Sequence, residues 1–222
     1  MRRRPEPELM DSEAQTRAYA QADFEAANSL FTEQFQQHFP DLPPAGEMAD
    51  LGCGPGDITL RMAALYPGWQ ITGLDAGPNM LKLAQARLQN SNAASRVRFR
   101  LTYLPDAGLP AHSWQALISN SLLHHLPNPR ILWDSVLRLG APGAAVQVMD
   151  LMRPDSEAAA QRLVDEYAAG APDVLREDFY NSLLAAYTPV EISAQLLNAG
   201  LDRLKIETPS DRHWTVSGRL QA

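Results

Sequence analysis

The 222-residue chain carries 19 lysines and arginines against 26 aspartates and glutamates, a formal net charge of −7. That balance argues against a broad nucleic-acid surface, which needs a basic face, while 45% hydrophobic and 20% charged residues are ordinary for a globular chain able to bury a sizeable core. No apolar run is long enough for a bilayer; Met1-Arg2-Arg3-Arg4-Pro5 lacks the apolar stretch of a secretory signal and reads as a frayed, solvated tail; and the one cysteine, Cys53, excludes an internal disulfide and fits a reducing, cytoplasmic setting.

Residues 12–39 read as helical. Ser12 and Gln15 have capping-box spacing. Tyr19, Ala22, Ala26, Ala27, Leu30, Phe31, Phe35 and Phe39 lie near one face, with a break around Asp23. Pro40, Pro43 and Pro44 end the helix and form a linker.

The next stretch, Met48-Ala49-Asp50-Leu51-Gly52-Cys53-Gly54-Pro55-Gly56-Asp57, is an apolar run, an acid, then three alternating glycines. Ile58, Leu60, Met62, Ala63 and Leu65 continue with helical spacing, so the segment reads as strand, glycine turn, helix. Glycine permits positive φ and close approach of a ligand, and such a turn at a helix N-terminus commonly cradles a nucleotide. Its spacing is not the G-x-G-x-x-G of dinucleotide enzymes, and no Walker lysine follows. Cys53 lies within the turn, where a small residue that fits is favoured over a catalytic thiol.

Trp69–Asp75 reads as the second strand, ending in an acid about 20 residues past the glycines. That spacing sets a carboxylate at the edge of the neighbouring strand, where it can accept hydrogen bonds from both hydroxyls of a ribose. Gly77-Pro78-Asn79 opens the next helix. Val97, Phe99 and Leu101 alternate as a third strand, and Trp114–Asn120 is apolar enough to be central. Ser121-Leu122-Leu123-His124-His125-Leu126 follows it.

The run D-L-G-C-G-P-G resembles motif I of the class I S-adenosylmethionine (SAM) methyltransferases; L-D-A-G-P-N-M-L resembles their post-I motif; and S-L-L-H-H-L resembles a stretch of the small-molecule members, including those that methylate quinones. By motif the resemblance covers roughly residues 45–150. It implies a cofactor shell of Asp50, Gly52, Cys53, Gly54, Asp75, Ala76, Met80, Tyr103, Leu104 and Asn120, with the N-terminal helix as a lid that sets Tyr19 on the cofactor. Asp75 would hold the ribose and Met80 the adenine; Asp50 would meet the methionine ammonium through water. One departure stands out. Relatives place Gly-Asp after the third strand, whereas this chain has Thr102-Tyr103, so the adenine contact passes to Tyr103, the Leu104 amide or a shifted Asp106.

Adjacent histidines at the end of a central strand suit a base or hydrogen-bond donor. His124, His125 and His213 are the catalytic candidates, with His124 slightly preferred; the paired histidines are expected to point apart, so that at most one faces the pocket. No metal is expected, because no cysteine or carboxylate lies at ligand spacing. Asn128-Pro129 starts a helix ended by Gly140; Val146, Val148 and Met149 form the fifth strand, closed by Asp150, which is expected to pair with Arg153. Residues 155–187 read as two short helices covering the crevice, with Arg176 and Tyr180 as substrate contacts. Thr188-Pro189-Val190-Glu191 is a capping box. Leu201–Ile206 and His213–Gly218 read as strands six and seven, and their short connection demands an antiparallel pair. It also brings His213 and Arg212 to the substrate side.

The expected architecture is an α/β, doubly wound, mostly parallel seven-stranded Rossmann-like sheet with a C-terminal antiparallel hairpin. The expected organisation is one domain over 1–222: helical lid 1–44, SAM-binding half 45–150, helical cover 151–200, terminal hairpin 201–222. The resemblance implies methyl transfer from SAM to a small molecule by in-line displacement, with no nucleic acid or membrane partner. A SAM-binding protein without catalysis, an NAD-type oxidoreductase and a nucleic-acid methyltransferase are the alternatives.

Overall fold

A computed structural model describes residues 1–6, 16, 18, 22, 24–106 and 108–221. Tyr19 and the Ser12–Gln15 cap lie outside the described residues. Within the expected 12–39 helix, the structure has α1 at Glu25–His38. Phe31, Phe35 and Phe39 are buried there, and Gln147 of the sheet ties the helix down by donating to the Phe31 carbonyl at 2.8 Å.

The strands are β1 (Gly46–Leu51), β2 (Trp69–Asp75), β3 (Val97–Leu101), β4 (Trp114–Asn120), β5 (Gly140–Leu151), β6 (Lys205–Glu207) and β7 (His213–Arg219). They form one sheet in the order β3-β2-β1-β4-β5-β7-β6. β1 pairs in parallel with β2 and β4, as do β2 with β3 and β4 with β5; β7 runs antiparallel to both β5 and β6. The seven-stranded sheet and its antiparallel end agree with the sequence reading. The sixth strand is shorter than expected: Leu201 and Leu204 are buried in a loop, and pairing begins only at Lys205.

Between the strands lie α2 (Asp57–Leu65), α3 (Pro78–Gln89), α4 (Arg130–Leu139), α5 (Glu157–Tyr167), α6 (Asp173–Ala185) and α7 (Pro189–Ala199). One face of the sheet packs Phe31, Phe35, Ile58, Met62 and Leu88 from α1, α2 and α3; the other packs Leu132, Trp133, Val136, Ile192 and Leu196 from α4 and α7. Each such large apolar side chain, fully buried, stabilises the fold by about 1.5–3 kcal/mol. Thr188 and Glu191 form the expected reciprocal cap of α7, and Gly200 ends that helix at φ 72°. α5 and α6 carry a smaller cluster of their own, including Val164, Leu183 and Leu184.

Chain direction places the ligand edge. From β1 the strand order runs outward through β2 on one side and β4 on the other. At such a switch point the two flanking connections leave on opposite faces and open a crevice at the carboxyl ends of the strands. Here those ends are Leu51 and Asn120.

Candidate active site

The glycine turn closes one wall of this crevice. The Gly52 and Cys53 N–H groups both donate to the Leu74 carbonyl, at 2.8 and 3.0 Å, pinning the turn to the end of β2. Gly54 has φ 51°, and a Cβ there would meet nothing within 4 Å, so the turn leaves open space on the crevice side. Asp75 is drawn into the same turn: its Oδ2 accepts from Gly54 N–H and its Oδ1 from Gly77 N–H, both at 2.7 Å. Asp50 is buried beneath, its carboxylate accepting from Thr59 at 2.6 Å. Burial raises its pKa to about 7, against the Thr59 hydrogen bond and with help from the charge of Asp75. Burial likewise pushes the Cys53 thiol well up, which removes it as a thiolate nucleophile.

A first cavity, about 150 Å³, is lined by Asp50, Gly52, Cys53, Gly54, Asp75, Ala76, Met80, Tyr103, Leu104 and Asn120, together with Phe24, Asn28 and Leu122. Every residue of the expected cofactor shell except Tyr19 is therefore in one place. Asp106 is not among them. It is held away by Thr102 and by Gly108 N–H at 2.7 Å, so it does not shift into the adenine position. Tyr103 lines the cavity but is 57% exposed.

A second cavity, about 670 Å³, shares Phe24, Asn28, Asn120, Ser121 and His125 with the first. His124, His213 and Arg212 line it, and α6 contributes Leu175, Asp178, Phe179 and Ser182. Arg176 and Tyr180 do not line it. Arg176 joins the two cover helices through the Ala168 carbonyl at 2.9 Å and Asp165 at 2.8 Å, and Tyr180 packs on the cover's own cluster. The helical period explains the correction: the face of α6 toward the cavity carries 175, 178, 179 and 182.

The histidines also depart from expectation. They sit in a 3₁₀ turn, Leu123–His125, rather than on a strand, so their rings do not alternate. The ring centroids are 4.0 Å apart and both line the second cavity. Asp150 does not pair with Arg153, which reaches Glu191 at 2.7 Å. It accepts instead from His124 Nδ1 at 2.5 Å, His124 N–H at 3.1 Å and Leu151 N–H at 2.6 Å. Burial opposes charge on both partners, yet their mutual attraction prevails: the His124 pKa is raised and that of Asp150 lowered. Burial and the neighbouring His124 lower the pKa of His125. His213 bonds Ser210 at 2.8 Å, and burial with the Arg212 charge lowers its pKa to about 4.

Sequence reasoning missed three contributors. Ser121, shared by both cavities, has φ 56°, a left-handed strain for a non-glycine residue that has no local sequence signal. Ser182 reaches the second cavity from the cover. Most unexpected is the N-terminal segment, which is docked and not frayed. Arg3 donates to the carbonyls of Ala185 at 2.5 Å and His124 at 2.8 Å and lies 4.3 Å over the Tyr187 ring. Glu6 then reaches the histidine pair.

Residues 48–143 match the family model for a methyltransferase domain. The chain is 34% identical over 131 residues to a trans-aconitate 2-methyltransferase of Rhizobium meliloti, covering 58% of this chain and 48% of that protein. It is 27% identical over 163 residues to a ubiquinone biosynthesis O-methyltransferase of Psychrobacter arcticus, covering 72% of this chain and 60% of that protein. A crystal structure of a SAM-dependent methyltransferase from Aquifex aeolicus superposes with a TM-score of 0.68 at 13% identity, over 92% of this chain and 97% of that one. By these matches the chain is similar to SAM-dependent methyltransferases, with the domain model covering residues 48–143. It spans about half the length of the curated trans-aconitate methyltransferase relatives it matches.

The first cavity fits SAM, the cofactor of the methyltransferases that the chain resembles, on its own chemistry. Gly54 leaves the space that any side chain would fill. The Asn120 Oδ1 atom is buried without a hydrogen-bond partner among the described residues, an acceptor suited to an ammonium group. Asp75 offers further carboxylate lone pairs at a strand edge, and Met80 and Leu104 supply apolar wall. No helix among the described residues is long and apolar enough to cross a membrane.

Proposed function

We propose that this chain is a class I SAM-dependent methyltransferase that transfers a methyl group from SAM to a small-molecule acceptor held in the second cavity. The observation that carries the reading is the pair of adjoining cavities at the switch point, one built on the open Gly54 turn and the other on the histidine pair. In this reading Asp75 holds the ribose, Met80 and Leu104 flank the adenine, and Asn120 with Asp50 faces the methionine end. Bound there, the sulfonium supplies a methyl carbon open to in-line displacement, with S-adenosylhomocysteine as the product.

Most of the chain's contribution is then alignment. The five residues shared by the cavities fix the path between cofactor and acceptor. Asp150 binds His124 Nδ1, which leaves Nε2, on the side of Glu6, as the ring atom able to take a proton from an acceptor that arrives protonated. A carboxylate acceptor would need no base at all. The matched relatives' names, one for trans-aconitate and one an O-methyltransferase, support oxygen as the nucleophile.

The test is calorimetric titration with SAM, S-adenosylhomocysteine and NAD, followed by labelled methyl transfer to a panel of small carboxylic acids and phenols. Micromolar binding of both sulfur compounds with NAD silent, and label in one acceptor class, is the expected result. Binding of NAD alone, or of nothing, would overturn the cofactor assignment; SAM binding without transfer to any acceptor would reduce the chain to a binding protein.

A further inference from the structure

We infer that Glu6, His124 and His125 form a binding site for a divalent transition-metal ion at the wall of the second cavity. The three side chains converge on one point. Glu6 Oε1 lies 3.4 Å from His124 Nε2 and 3.1 Å from His125 Nδ1, and all three ligand atoms fall within 4.8 Å of one another. An ion with tetrahedral bonds of about 2.0–2.1 Å holds its ligand atoms roughly 3.3 Å apart, so small adjustments suffice.

His125 Nδ1 is buried and, among the described residues, makes no well-aligned hydrogen bond, even to the carboxylate oxygen 3.1 Å away. An orphaned buried imidazole nitrogen is costly, and a cation between the three atoms satisfies it. The surrounding groups are those that orient metal ligands. Asp150 accepts from His124 Nδ1 at 2.5 Å, which fixes the tautomer and leaves the Nε2 lone pair toward Glu6. Ser182 donates to the same Glu6 oxygen at 3.1 Å, which leaves a second lone pair for an ion.

Charge points the same way. Glu6 and Asp150 bring two negative charges and Arg3, on the His124 carbonyl, brings one positive. With both imidazoles neutral the cluster is left at a net −1, which favours a dication. Two imidazoles and one carboxylate suit zinc or iron(II) over magnesium or calcium. Three protein ligands leave coordination positions free, and the cavity lined by the two histidines is where water or an acceptor oxygen would take them. The same ion would clamp the N-terminal segment across the histidine turn. An ion on Nε2 would exclude His124 as the base and would instead lower the pKa of an acceptor oxygen bound to it; the site rests on the cluster's geometry and not on methyl transfer, so either can fail alone.

The test uses tag-free chain stripped with chelator, then dialysed against zinc or cobalt(II), with metal content by mass spectrometry and the cobalt visible spectrum as readouts. About one ion per chain is expected, with an intense cobalt band of low-symmetry coordination. Glu6→Ala and His125→Ala should each weaken zinc affinity at least about tenfold, while S-adenosylhomocysteine titration of Glu6→Ala stays at the parent value. Arg3 still docks the segment in Glu6→Ala, so the metal-free variant should unfold cooperatively as the metal-free parent does and report the loss of binding. No stoichiometric ion, or zinc affinity unchanged in Glu6→Ala, would overturn the site and leave Glu6 a counter-charge to protonated histidine.

Discussion

The two cavities are built by opposite means. Much of the first comes from two short runs of chain: residues 50–58 and 74–80 lie at adjacent strand ends within one βαβ unit, pinned by the Gly52 and Cys53 N–H groups on the Leu74 carbonyl. The second is gathered from the whole chain. Arg3 is 121 residues from the His124 carbonyl it binds, and Glu6 is 176 residues from Ser182. A local backbone device tolerates side-chain change almost everywhere except at its glycines and its acid. A site assembled from remote side chains depends on each buried pair that holds it.

Breaking the second region should therefore produce the largest structural effect. Asp150→Ala leaves His124 buried without its counter-charge and strands the His124 and Leu151 N–H groups. Urea unfolding should show a loss of about 3–5 kcal/mol, the usual consequence of removing one partner of a buried pair. A loss below about 1 kcal/mol would mean that water replaces the carboxylate freely.

The first region should respond in binding. Asp75→Ala removes the acceptor for Gly54 and Gly77 N–H as well as the proposed ribose ligand. S-adenosylhomocysteine affinity should fall at least tenfold, about 1.4 kcal/mol; an unchanged calorimetric titration would take Asp75 out of the site.

Asp50 sharpens the contrast through pH. The folded side chain keeps its proton up to about pH 7, whereas the unfolded one loses it near the ordinary value of 3.8. The folded state binds the extra proton, so this group's stabilisation is full below the unfolded value and is lost as pH rises through about 7. Asp75, Cys53 and Thr59 face the same carboxylate. Asp50→Asn should flatten part of the decline in thermal midpoint between about pH 4 and pH 7; parallel curves for variant and parent would show that Asp50 is ionised throughout.

Arg176→Ala should have the smallest effect. Its ion pair with Asp165 is partly exposed, so the stability change should stay under about 1 kcal/mol. Acceptor KM should not move, since the side chain does not line the second cavity. A raised KM would return Arg176 to the substrate contacts.

The sequence by itself determined the sheet, the glycine turn, Asp75 at the strand end, the capping box at Thr188 and Glu191, and the antiparallel terminal pair. All of these follow from spacing along a short stretch of chain: alternation, helical period, turn residues and a connection too short for a crossover. Tertiary structure alone decided that Asp150 pairs with His124 and not Arg153, that both histidines face one cavity, that α6 offers Ser182 and not Arg176, and that the N-terminal segment docks with Glu6 at the histidines. The physical reason is the range of the interactions. Backbone geometry is dictated by near neighbours, whereas a buried charge takes whichever partner the packed core brings within reach, and no pattern along the chain records that distance.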